Sequence, residues 1–103
     1  MQKRLDQPGW KSYIHIMDYQ EMANLFKALS NPSRLEILEM LEHHGCNVTK
    51  MVENLNIPQS TVSQHLGVLR KYDIVVTKKE GYCTCYQIKD WRIKEILRLL
   101  KGH

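Results

Sequence analysis

A mainly α-helical fold carrying one small β-hairpin, in the order α-α-α-α-β-β-α, is predicted by three features of this 103-residue sequence. Apolar residues recur at helical spacing in five separate stretches, two β-rich runs meet at a Glu-Gly step, and capping or breaking residues stand at the boundaries between them.

From Asp18 the pattern turns helical. Met22, Leu25, Phe26 and Leu29 fall at i, i+3, i+4, i+7, the spacing of one apolar stripe, and Ser30-Asn31-Pro32 ends it. Pro32 suits the first turn of a second helix with Asn31 as its cap. In that helix Leu35, Leu38 and Leu41 are expected to line one face, with Glu36, Glu39 and Glu42 toward water and Gly45 at the end. Thr49 to Leu55 reads as a short third helix, capped by Thr49, with Val52 and Leu55 facing inward. Asn56-Ile57 is a turn. Pro58 opens a fourth helix whose Val62, Leu66 and Leu69 repeat at i, i+4, i+7 and whose last turn holds Arg70 and Lys71, cations that complement the helix dipole. Ile74 to Lys79 and Tyr82 to Ile88 form a hairpin through Glu80-Gly81. Asp90 caps a fifth helix with Ile93, Ile96, Leu97 and Leu100 as its apolar stripe.

One domain is expected over residues 18–103, since the chain is too short for two cores. Residues 1–17 hold Pro8, Gly9 and no sustained period, so they read as an extension, with Trp10, Tyr13 and Ile14 as its packing candidates. Apolar and charged fractions of 43% and 25% are those of a soluble protein, and no apolar run approaches the roughly 20 residues that span a bilayer. No apolar h-region follows Met1, and the odd set Cys46, Cys83 and Cys85 is not a disulfide framework. A cytoplasmic protein with reduced thiols and no membrane partner is expected. The net charge of +4 is unevenly spread: residues 18–57 carry −3 and residues 58–89 carry +3. A polyanion is to be sought on the second block.

That block holds the most informative constellation. Two short helices joined by a tight turn match a helix-turn-helix, whose second helix enters the major groove of DNA by its N-terminal residues. At that position stand Gln59, Ser60, Thr61, Ser63, Gln64 and His65, hydrogen-bonding side chains of types that address base edges and phosphates. A plain surface helix would favour Glu, Lys and Ala. With Lys78 and Lys79 near its tip and Tyr82 beside them, the hairpin reads as a wing whose cations, like Arg70, bind phosphate; the alternative is that the lysines protect an edge strand from aggregation. The fold is then a winged helix-turn-helix, and double-stranded DNA the expected partner.

The stretches LFKALSNPSRLEILEML, LNIPQSTVSQHLGVLRKYDIV and KKEGYCTCYQI resemble the corresponding parts of the ArsR/SmtB family of winged-helix repressors, over about residues 18 to 100. The resemblance implies a homodimer built from the first and last helices that represses by occupying an operator until an inducer, a metal or small molecule, lowers its affinity; two-fold symmetry of the protein then asks for an inverted-repeat operator. The last helix's stripe agrees with a dimer surface, though an ordinary core role explains it as well.

Two metal sites implied by the resemblance are incomplete. Where the family carries a two-cysteine phrase near the third helix, this chain has Cys46-Asn47-Val48-Thr49, with only His43 and His44 nearby. On the last helix Asp90 and His103 match ligand positions, but Arg92 replaces a histidine and the final ligand is missing. No metal or other cofactor is therefore expected. Cys83 and Cys85, two apart on one strand face, are candidate receivers of a soft ion or oxidant, with Cys46 a lesser one, or else small hydrophobes filling a sheet. No nucleophile-base motif or Gly-rich phosphate loop is present, so catalysis is not expected. A winged helix used for protein contact would show apolar anchors on the fourth helix, where this chain has polar ones.

Overall fold

The computed structural model describes residues 18–44 and 48–102, apart from the side chains of residues 44, 50 and 83. The readings made on residues 1–17, on Gly45, Cys46 and His103, and on the side chains of His44 and Cys83 lie outside the described residues. Five helices and one hairpin follow in the expected order: α1 (Tyr19–Leu29), α2 (Pro32–His44), α3 (Val48–Leu55), α4 (Gln59–Lys71), β1 (Val75–Glu80), β2 (Cys83–Ile88) and α5 (Trp91–Lys101).

Local chemistry explains most boundaries. The Asp18 carboxylate accepts from the Glu21 amide at 2.8 Å while Glu21 Oε1 accepts from the Asp18 amide at 3.0 Å, a reciprocal capping box at the start of α1. Asn31 Oδ1 accepts from the Arg34 amide at 3.1 Å and Asp90 Oδ1 from the Arg92 amide at 3.0 Å, which starts α2 and α5 as the sequence predicts. The exit from α4 is a Schellman arrangement with Asp73 at φ 62° in the left-handed position. The Asp73 amide donates to Arg70 O at 3.0 Å and the Ile74 amide to Leu69 O at 2.9 Å, while Leu69 and Ile74 are both buried. That lock aims the chain out of α4 directly into β1.

The strands pair antiparallel, Val75 opposite Ile88 through Glu80 opposite Cys83, and a two-residue turn joins them. Only its first residue, Gly81, has positive φ (65°), as a type II′ turn requires. The turn is thus Gly81-Tyr82, one residue later than the sequence suggested, and Tyr82 stands free at the tip rather than starting β2. A bond from the Lys89 amide to Ile74 O at 2.8 Å closes the base of the hairpin.

One core gathers side chains from every helix and from β1. Leu25, Ala28 and Leu29 of α1 meet Ile37, Leu38 and Leu41 of α2, Met51 of α3, Val62, Leu66 and Leu69 of α4, Ile74, Val75, and Ile93 and Leu97 of α5. Burial of each of these side chains larger than alanine contributes about 1.5–3 kcal/mol before ordering costs are set against it.

Several expectations about facing are corrected. Phe26 is exposed, because the neighbours of α1 cover the Leu25–Leu29 side of its stripe only. In α2 Ile37 is fully buried and Leu35 only partly. Glu42 is largely covered, its carboxylate held by Arg98 of α5 at 3.2 Å. In α3 the buried residue is Met51; Val52 and Leu55 pack at its margin, and Thr49 lies inside the helix rather than capping it. Pro58 is the cap residue of α4, one position before the helix. The α5 stripe, for which the sequence leaves both a dimer surface and a core role open, divides: Ile93 and Leu97 are buried and Leu100 is exposed.

Candidate nucleic-acid interface

Helices α3 and α4 meet through a turn in which Asn56 adopts φ 57°, a conformation asparagine tolerates better than most residues. Pro58 then supplies extended backbone (φ −58°, ψ 146°), and its carbonyl accepts from the amides of Thr61 and Val62, both at 3.0 Å. With Val62, Leu66 and Leu69 buried, the opposite side of α4 is presented outward. Ser60, Gln64 and Lys71 are exposed there with Ser63 at its flank, Gln59 and Arg70 are exposed nearer the buried stripe, and Thr61 is partly exposed. No acidic residue occurs in α4. The helix therefore shows a face of neutral hydrogen-bonding groups followed by the cations Arg70 and Lys71.

His65 is the exception among the sequence-predicted residues. It is half-buried, and Nη1 of Arg34 approaches its Nδ1 at 3.3 Å. Burial first and the Arg34 charge second hold its pKa below the ordinary value of 6.5. Arg34 also donates from Nε to Ala28 O at 2.6 Å and from Nη2 to Lys27 O at 3.4 Å, so one guanidinium ties the last carbonyls of α1 to the middle of α4. Sequence reading missed Arg34. Its partners lie six, seven and 31 residues away, and the local signal was only a cation in the first turn of α2, where the helix dipole disfavours one.

The hairpin stands beside α4 with Lys78, Lys79 and Tyr82 all exposed. Successive strand residues alternate faces, so Lys78 shares the outer face with Val76 and Glu80, and Lys79 shares the face of Val75 and Thr77. Cys85 lies opposite Lys78, half-exposed, its Sγ 3.7 Å from Glu80 Oε1. It is therefore not filler of the sheet's inner face, which Tyr86 and Ile88 cover.

Asp90, the N-cap of α5, is held by Arg92. Arg92 donates to it from Nε at 3.0 Å and Nη2 at 2.7 Å, and these bonds hold its carboxyl below the usual carboxylate range against the opposing effect of burial. His43 pairs with Glu39 at 3.3 Å. Among the described residues no three His, Cys, Asp or Glu side chains cluster as metal ligands, and no helix is long and apolar enough to cross a membrane.

The sequence matches the family described as bacterial regulatory protein, arsR family, over residues 31–77. It is 43% identical over 83 residues to an uncharacterised HTH-type transcriptional regulator of Methanocaldococcus jannaschii, covering 80% of this chain and 93% of that one. The chain belongs to the ArsR family. Another relative, the transcriptional repressor PagR of Bacillus anthracis, is 35% identical over 88 residues, 84% of this chain and 88% of PagR. Among solved structures, HlyU from Vibrio cholerae superposes with a TM-score of 0.74 at 34% identity, covering 82% of this chain and 94% of that one. The crystal structure of PagR gives a TM-score of 0.72 at 35% identity over 79% and 93% of the two chains. As an ArsR-family member the protein is a transcriptional regulator with a winged helix-turn-helix DNA-binding fold: α3 and α4 are the helix-turn-helix and β1–β2 the wing.

Proposed function

We propose that the protein is a cytoplasmic, homodimeric, non-catalytic repressor that occupies an inverted-repeat operator. The observation that carries this reading is the outward face of α4, polar, free of carboxylates and flanked by the cations of the wing. In this reading Ser60, Thr61, Ser63 and Gln64 address base edges, while Gln59, Arg70, Tyr82 and one of the two wing lysines, Lys78 or Lys79, address the sugar-phosphate backbone. His65 contributes by its contact with Arg34 more than by reaching DNA.

Dimerisation is supported by apolar side chains that the core leaves outside. Trp91, Leu99 and Leu100 of α5 are 69%, 79% and 77% exposed, and Tyr19 and Phe26 of α1 are also uncovered. Two-fold symmetry of the protein asks for two half-sites with centres about 34 Å, or a multiple of it, apart. Selection of a duplex from a random-sequence pool, followed by sedimentation of the complex, tests both points. A two-fold repeat bound by a dimer is expected, with Leu99→Glu and Leu100→Glu lowering operator affinity through loss of the dimer. A monomer on an unrepeated site sinks the proposal.

A second reading, thiol control, is favoured by the half-exposed Cys85 directly across the ladder from Lys78. A soft ion or oxidant acting at Cys83 and Cys85 alters β2, the strand paired with the one that carries Lys78 and Lys79. Operator binding should then weaken with arsenite or peroxide and become indifferent to both in the Cys83→Ser, Cys85→Ser variant. Equal binding by the untreated and treated parent protein rules this out.

A further inference from the structure

Glycine in the interior of an exposed helix is unfavourable, because it orders a backbone that has the most freedom to lose and covers none of it. Gly67 is such a residue: it is exposed in the third turn of the 13-residue α4, with no positive φ. Glycines in helices often make room for a neighbouring element, but a Cβ built on Gly67 meets nothing within 4 Å. Nothing described in the chain requires the missing side chain. The space is left toward the outside.

Its position says for what. Helical periodicity sets Gly67 one turn beyond Ser63 and Gln64 and one turn before Lys71, all exposed, with Gln64, Gly67 and Lys71 on the side away from the buried Val62, Leu66 and Leu69 and Ser63 at its flank. A helix face with hydrogen-bonding groups on one side of the glycine, a cation on the other and no carboxylate anywhere along it fits a polyanion. We propose that Gly67 is the point at which α4 lies directly against the wall of the DNA major groove, its bare backbone setting the depth to which the helix inserts. This rests on the DNA-binding reading of α4 and deepens it. A methyl group at this position would hold the helix off by about 1 Å, which stretches hydrogen bonds of about 2.9 Å from Ser63 and Gln64 beyond useful length.

Stability and DNA binding should therefore move in opposite directions in Gly67→Ala. The melting temperature is expected to rise by about 4–8 °C, as for replacement of an exposed helical glycine in a domain of this size. Affinity for the duplex selected by the parent protein is expected to fall at least tenfold, with less than threefold change on a random 30-base-pair duplex, where looser, charge-driven contact persists. Gly67→Ser should lose operator affinity as well, since the added Cβ and not polarity is at issue. Unchanged or tighter operator binding by Gly67→Ala overturns the inference while leaving the reading of α4 intact. A melting temperature that falls overturns its premise that the position is sterically free. A parent protein that binds no duplex overturns the underlying reading, and the inference with it.

Discussion

The two wing lysines should not contribute equally to DNA binding. Lys78 and Lys79 are adjacent in β1, pair with Cys85 and Thr84 respectively, and so project from opposite faces of a two-stranded ribbon. If both met phosphates, a dimer would have four such contacts, and their loss would lower the slope of log affinity against log salt by about 3.6, at about 0.9 per contact. With one face of each wing turned to the backbone the number is two, and the slope falls by about 1.8. Between 50 and 200 mM salt that corresponds to about a twelvefold change in relative affinity. Fluorescence anisotropy with the selected duplex at five or six salt concentrations, for Lys78→Ala, Lys79→Ala and the double variant, resolves the cases. One single variant should reproduce the whole double-variant effect, and the other should stay near the parent. Two equal single effects that add to about 3.6 would refute the face assignment; no change in the double variant would remove the wing from the DNA.

Three further outcomes follow from contacts described above. Gln64→Ala should cost about 1–3 kcal/mol of discrimination at one base pair in each half-site, with the salt slope unchanged, as measured by competition among single-base operator variants. Arg34→Ala, which removes the guanidinium bonds to the Ala28 carbonyl and His65 and the weaker one to the Lys27 carbonyl, should destabilise the fold by about 1.5–3 kcal/mol in urea unfolding, while Arg34→Lys recovers part of this. The lowered pKa of His65 means that the folded protein favours the neutral ring. Its contribution is complete above the ordinary value of 6.5 and is lost as the pH falls through the depressed folded value, so urea midpoints should drop toward pH 5 and do so less in His65→Gln.

How much of this was legible in the sequence depended on the range of the determinants. Asp18, Asn31 and Asp90 act on amides two or three residues away, and each was readable as a cap or helix start. Val62, Leu66 and Leu69 obey helical spacing in a helix covered on one side, so their burial was readable too. Periodicity gives the direction of a face but not the extent of what covers it. Phe26 and Leu100 lie on predicted stripes yet remain outside, and Met51 displaced Val52 and Leu55 as the anchor of α3. Arg34 and the Arg98–Glu42 pair depend on partners brought together only by the tertiary fold, for which sequence spacing has no rule. The polar N-terminal half of α4 was legible for the opposite reason: Ser60, Thr61, Ser63 and His65 are poor choices for helix stability alone, and that local conflict pointed outward.

The hairpin is also a cantilever. Its root is clamped by the buried Ile74 and Val75 and by the bond from Lys89 to Ile74, whereas burial fades along β1 until the last three residues are bare. Six residues of strand make an arm of about 20 Å, so a tilt of about 5° at the root sweeps the tip through roughly 1.7 Å, more than the tolerance of a hydrogen bond. A conservative change at the root, such as Ile74→Val, can therefore retune contacts two nanometres away without altering any residue that touches DNA. Variation at Ile74, Val75 and Ile88 becomes a means of adjusting reach, and relatives with identical tips need not grip the same backbone geometry.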